Sequence, residues 1–240
     1  MTGQFITFEG GEGAGKTTQI SRLKARLEGL GLAVRVTREP GGSEGAEKIR
    51  SVLLSGAAKG LGARGEAILF AAARADHVDR LIKPALAEGT WVLCDRFADS
   101  TRVYQGEAGV SADALAMLEA VAVDGCRPDL TILIDVPAEL GLSRVSRRAE
   151  TGAGEAPDRF EQDDLTIHQR RRQRFLDLAA QEPGRFLIVD GACDPSDVEM
   201  RIWVGVYAHF RDLLRPLADA GAPTSDTPRP ETEAGDGTAI

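Results

Sequence analysis

The sequence predicts an α/β domain in which a five-stranded parallel sheet carries helices on both faces. Three observations lead to this. Five short apolar runs stand apart along the 240 residues. Helical patterns fill the gaps between them, which requires parallel strands with right-handed crossovers. A glycine-rich loop joins the first run to the first helix. A chain of this length can close one large hydrophobic core.

The first strand is "FITFE", and the helix after the loop shows in Ile20, Leu23, Leu27 and Leu30 at helical spacing. "AVRVT", "WVLCD", "LTILIDV" and "FLIVD" read as the remaining strands, all buried. Helices are expected over residues 44–54, 65–87, 111–123, 138–149, 161–181 and 195–217, and their Leu, Ile and Ala positions read as core packing. Residues 150–158, "ETGAGEAPD", are small and polar between two helical patterns, as a lid would be. The domain is placed at 1–217. Residues 218–240, rich in Pro, Thr, Gly and acids, read as a disordered tail.

The net charge of −8 argues against a nucleic-acid or anionic-membrane partner. Cys94, Cys126 and Cys193 lie far apart with no C-x-x-C spacing, which fits reduced thiols and neither a disulfide framework nor a zinc site. With no signal pattern and no long apolar run, a soluble cytoplasmic protein is expected.

The loop carries the chemistry. Gly10, Gly11, Glu12, Gly13, Ala14, Gly15, Lys16 and Thr17 match G-x-x-x-x-G-K-[ST] between a strand and a helix. Glycines let backbone N–H groups turn inward on a phosphate, and the helix N-terminus favours an anion. Lys16 is placed to reach the β- and γ-phosphates of a nucleotide, and the Thr17 hydroxyl to ligate Mg²⁺. Asp95 and Arg96 stand at the strand end in "WVLCDRF". The acid there can hold Mg²⁺ or its waters, and the guanidinium can bridge phosphates. Arg38 and Glu39 end the second strand, before Pro40-Gly41-Gly42, where open parallel sheets place ligands. Arg50 lies beside an apolar helical run. Phe70 and Arg74 share a helix face and could stack on a base and bond its edge. Spacing alone favours a core Phe beside a surface Arg.

"FEGGEGAGKTT", "TREPGG", "LFAAARADH", "DRFADSTRVYQG" and "DRFE" follow one another in this order. Together they resemble the bacterial thymidylate kinases, over residues 5 to about 215. The resemblance implies a P-loop nucleoside monophosphate kinase fold with a short lid at about 147–160. It implies ATP as donor, dTMP as acceptor, Mg²⁺ as cofactor and a homodimer formed through helices. It implies that Phe70 stacks on thymine and Arg74 contacts its carbonyl edge. Ser100, Thr101 and Gln105 would lie by the base, with Tyr104 where a 2′-hydroxyl would project. Arg38, Glu39 and Arg50 would flank the acceptor phosphate and metal-bound waters, and Asp95 and Arg96 would serve the metal and the transferring group. After Asp-Arg the family has Tyr or His where this chain has Phe97, so only an apolar packing role remains there.

Glu12 is the odd member of a phosphate loop. A carboxylate about 4 Å from a phosphate charge would cost on the order of 4 kcal/mol at an effective dielectric near 20. It is therefore expected to face the acceptor, where the resemblance implies a bond with the 3′-hydroxyl. Some relatives carry an arginine in the loop. Here the extra positive charge is expected from Arg147, Arg148 or Arg159 of the lid. His77, His168 and His209 read as structural. The competing readings are another nucleoside monophosphate kinase, a deoxynucleoside kinase and a nucleotide-dependent switch, though no N-K-x-D motif occurs.

Overall fold

Side chains alternate along β1 (Phe5–Glu9), so the strand serves both faces of the sheet. Ile6 and Phe8 pack on one side with Ile20, Leu23 and Leu27, and Phe5 packs on the other with Val78, Val92 and Phe97. The computed structural model describes residues 3–151 and 163–221. Its five strands are all parallel, in the order β2-β3-β1-β4-β5, with β2 at Val34–Arg38, β3 at Trp91–Asp95, β4 at Leu130–Asp135 and β5 at Phe186–Asp190. Helices α1 (Lys16–Gly29), α9 (Pro195–His209) and α10 (Arg211–Gly221) cover one face through Leu23, Ile202 and Leu214. On the other lie α2 (Glu44–Leu54), α3 (Gly62–His77), α4 (Lys83–Ala87), α5 (Ala98–Glu107), α6 (Ala112–Val123) and α8 (Leu165–Gln181). Helix α7 (Ala138–Glu150) follows β4 and packs against the phosphate loop.

The structure departs from expectation in five places. The 65–87 helix is two helices, α3 and α4, joined by a π-turn at Val78–Ile82. Pro84 sits just beyond that turn. It lacks an N–H and its ring would crowd the carbonyl four residues back, so the ladder widens there. The 195–217 helix breaks at Phe210, whose ring packs edge-on against Trp91 at 4.9 Å. Helix α10 then runs to Gly221, past the expected boundary at 217. "AVRVT" is not a buried run. As β2 it is an edge strand with Arg35 and Val36 exposed. Helix α5 was not expected, because its ten residues "ADSTRVYQGE" show no apolar period. It buries Asp99, Thr101 and Gln105 along with Val103 and Tyr104.

Residues 152–162, most of the expected lid, and residues 222–240 of the expected tail lie outside the described residues. Among the described residues no helix is long and apolar enough to cross a membrane.

Candidate active site

A cavity of about 280 Å³ opens at the carboxyl ends of β1, β2 and β3, where parallel sheets place ligands. One wall is the phosphate loop from Glu12 to Thr18. Gly10, Gly13 and Gly15 all take positive φ, which L side chains rarely adopt. Gly13 is also held by space. A Cβ there would stand 2.1 Å from the Gly141 carbonyl oxygen of α7, so the loop seats directly on that helix backbone. Lys16 is buried and donates from Nζ to the Gly10 and Gly11 carbonyls at 3.2 Å each. These two glycines thus position the lysine and do not line the cavity. Burial and then Arg96 lower the Lys16 pKa, against the pull of Asp95 and Glu12.

At the loop's end the Thr17 hydroxyl donates to Asp95 at 3.2 Å. Two hard oxygen donors this close, beside a phosphate-binding loop, suit Mg²⁺. That ion takes one or two protein oxygens and completes its shell with phosphate and water. Glu39, the third expected metal residue, is engaged otherwise. One carboxylate oxygen accepts from Arg74 Nε at 2.7 Å, and the other meets His77 Nδ1 at 3.0 Å. Glu39 and Arg74 are both buried, so each supplies the charge that makes the other's burial tolerable. Glu39 therefore holds Arg74 in place. His77, fully buried, completes the brace with Thr37 Oγ1 at 2.7 Å, in keeping with a structural role.

The opposite wall is α3 and α5. The preference that spacing suggested for Phe70 and Arg74 is reversed. Phe70 is only partly buried and lines the cavity, whereas Arg74 is 3% exposed. Besides Glu39, Arg74 donates from Nη2 to the Phe97 carbonyl at 3.1 Å and to Thr101 Oγ1 at 2.9 Å, while still lining the cavity. Phe97 is fully buried against Phe5, edge-on at 5.0 Å, the apolar role expected of it. Ser100, Thr101, Tyr104 and Gln105 all line the cavity from α5.

Between the walls stands Arg96, in a left-handed conformation at φ 68°. A non-glycine residue held there is strained and is characteristic of functional sites. Its guanidinium donates to Ser100 Oγ at 3.2 Å, to the Gly10 carbonyl at 3.3 Å and to Glu12 at 2.7 Å. Tyr104 donates to the same Glu12 oxygen at 2.7 Å. Glu12 thus turns to the α5 wall. Burial resists its ionisation, but Arg96, Lys16 and the Tyr104 bond outweigh this and bring its pKa down to about 2.

The remaining expected residues are divided. Arg38 and Arg50 line the cavity, with Arg50 donating to the Pro40 carbonyl at 2.8 Å and Arg38 lying 3.5 Å from Glu47. Of the lid arginines, Arg148 lines the cavity and Arg147 does not, and Arg159 lies outside the described residues.

Sequence reasoning passed over Glu9. This carboxylate ends the central strand and accepts from the Phe97 and Ser100 backbone N–H groups and from Ser100 Oγ, at 2.8, 3.2 and 2.7 Å. It caps α5 and orients Ser100. Burial, then Asp99, push it up to about 7. An acid closing an otherwise apolar strand was the available signal. Leu54, Pro40 and Thr18, which also line the cavity, carried none.

The thymidylate kinase family model matches residues 8–202. The chain belongs to the thymidylate kinase family. It is 54% identical to the thymidylate kinase of Rhodopseudomonas palustris (strain ATCC BAA-98 / CGA009) over 224 residues, covering 92% of this chain and 94% of that one. The Nitrobacter winogradskyi thymidylate kinase is 52% identical over 85% of this chain and 88% of its own, and that of Bradyrhizobium sp. (strain BTAi1 / ATCC BAA-1182) is 52% identical over 85% and 89%. The match spans the phosphate loop, α3 and α5. Both walls of the cavity therefore belong to the part shared with thymidylate kinases.

Proposed function

We propose that the protein transfers the γ-phosphoryl group of ATP to dTMP, giving dTDP and ADP. The observation that carries this reading is a single cavity with two unlike walls. A phosphate loop forms one, a partly exposed aromatic ring beside a braced arginine forms the other, and Arg96 stands between.

The loop amides and Lys16 hold the donor phosphates. Thr17 and Asp95 are the residues to hold Mg²⁺, which when bound neutralises charge on the donor phosphates. Phe70 stacks on thymine, and Arg74, with Thr101 and Gln105 beside it, addresses the base edge. Glu39 holds Arg74 in register, so an arginine with few rotamers left meets the base. Arg38, Arg50 and Arg96 flank the acceptor phosphate. Glu12 meets the acceptor sugar together with Tyr104. Arg148 adds positive charge from α7.

A phosphate-monoester oxygen of the acceptor attacks the γ-phosphorus, and the bond to the leaving ADP oxygen breaks. A monoester is already largely ionised near neutrality, so no strong base is needed. The protein's contribution is to align two anions and neutralise charge on the group in flight. A homodimer through α3 and α6 accompanies this reading. Those helices touch, and each exposes apolar side chains, Ile68 on one and Met117 and Val121 on the other.

The test is ADP release with Mg·ATP and each of dTMP, dUMP, dCMP, dAMP, dGMP, thymidine or no acceptor. dTMP should be the best acceptor by kcat/KM. Preference for thymidine would make the protein a nucleoside kinase, and hydrolysis indifferent to acceptor would make it a switch.

A further inference from the structure

Tyr104 can exclude a ribose only if its ring does not yield. A ring held by its hydroxyl alone can pivot about that bond, so the residues on its faces decide how well it discriminates. Two guanidinium groups lie over it, Arg96 at 5.1 Å from the centroid and Arg171 at 4.4 Å, and Phe175 packs edge-on at 6.3 Å. Arg96 lines the cavity and serves phosphate. Arg171, in α8, does not line it.

Arg171 is 6% exposed, and a buried cation needs compensation. It donates from Nη2 to Asp163 at 2.6 Å, and its guanidinium rests on the negative face of the Tyr104 ring. Asp163 precedes α8 and is itself partly exposed. A run of contacts therefore leads from Asp163 through Arg171 to Tyr104, and from its hydroxyl to Glu12 and Arg96. The run couples the start of α8 to the phosphate loop.

We propose that Arg171 is a positioning residue for sugar selection: clamped by Asp163, it fixes the Tyr104 ring against Glu12, so that discrimination against a 2′-hydroxyl depends on a side chain outside the cavity. The proposal rests on the reading of Tyr104 as the residue that meets the sugar. It makes ribose rejection a property of α5 and α8 together.

The test combines kinetics with a probe of the ring. The ratio of kcat/KM for dTMP to that for its ribose analogue is measured in wild type, Arg171→Met, Arg171→Lys, Asp163→Asn, Tyr104→Ala and the Arg171→Met/Tyr104→Ala pair. Arg171→Met should narrow the ratio about three- to tenfold, the scale of a partly desolvated cation–π contact. Arg171→Lys should restore part of it, and Asp163→Asn, at a partly exposed site that tolerates change, should narrow it in the same direction. In the Tyr104→Ala background Arg171→Met should add nothing. Because the chain has two tyrosines, labelling with 3-fluorotyrosine gives two ¹⁹F lines. The Tyr104 line, assigned by its loss in Tyr104→Phe, should shift in Arg171→Met while the Tyr207 line stays put.

An unchanged ratio and unmoved Tyr104 line in Arg171→Met, with Tyr104→Ala still narrowing the ratio, would overturn the role of Arg171. So would an equal effect of Arg171→Met with and without Tyr104. If Tyr104→Ala itself leaves the ratio unchanged, the Tyr104 reading falls and the sugar-selection claim with it. In that case a shifted ¹⁹F line would still show that Arg171 holds the ring.

Discussion

Between β1 and α1 the chain presents backbone to the cavity, whereas α5 presents buried polar side chains. The loop's geometry rests on glycines at positive φ and on a seat against Gly141, so its shape is set by backbone and not by side-chain partners. Helix α5 works the other way. Its N-terminus is capped by Glu9, its Ser100 and Thr101 are tied to Arg96 and Arg74, and Tyr104 is tied to Glu12. The loop's shape is therefore sensitive to added volume at its glycines, and the α5 wall to the loss of polar partners. The two meet at Glu12, the loop's one charged side chain directed at α5.

The largest effect should come from the loop side. Lys16→Ala should lower kcat by about 10²–10³-fold, the usual loss on removing one preorganised charge donor. Its present partners are two loop carbonyls and no core group, so the far-ultraviolet circular dichroism should stay that of wild type. A variant retaining more than a tenth of the wild-type rate would remove Lys16 from the chemistry.

The α5 side should show in stability and pH. Glu9 is raised in the folded state, mainly by burial, from an ordinary 4.5 to about 7. The folded protein then binds the more protons between those values, so Glu9 costs stability progressively as pH rises from about 4.5 to 7. The loss is on the order of 3 kcal/mol at most and is constant above that window. Glu9→Gln stays neutral and should lack this loss. Urea unfolding of both proteins at pH 5 and pH 8 measures it, and parallel behaviour of the two would show that Glu9 is not held against ionisation.

A smaller effect is expected where α7 meets the cavity. Arg148→Ala should lower kcat about ten- to a hundredfold, short of the 10³–10⁵ of an arginine finger acting alone. Arg147→Ala should stay near wild type, because Arg147 does not line the cavity. Steady-state kinetics of the two variants separate them, and equal losses would mean that the cavity lining misidentifies the acting residue.

This contrast also explains what could be read in the sequence. Five strands were legible as short apolar runs and most helices because apolar residues repeat with the helical period. The loop was legible because its backbone shape demands glycines at fixed spacing. Helix α5 was not, since a helix that buries Gln105, and Asp99 and Thr101 against charged partners, has no hydrophobic period to see. For the same reason Arg74 was misjudged. A buried arginine is intelligible only beside Glu39 and Thr101, which lie 35 and 27 residues away. The residues of "DRFADSTRVYQG" entered as site candidates through family resemblance and not through any physical pattern. Glu9 and Arg171 escaped because their partners come from other elements.

The most direct measurement for a cavity with a donor wall and an acceptor wall is calorimetric titration of Phe70→Ala with dTMP and, separately, with ATP. Phe70 lines the cavity from α3. Its loss should weaken dTMP binding by about 1–3 kcal/mol, the range for base–aromatic stacking, and leave ATP binding unchanged. A fall in both affinities, or in that for ATP alone, would contradict the division of the cavity into two walls.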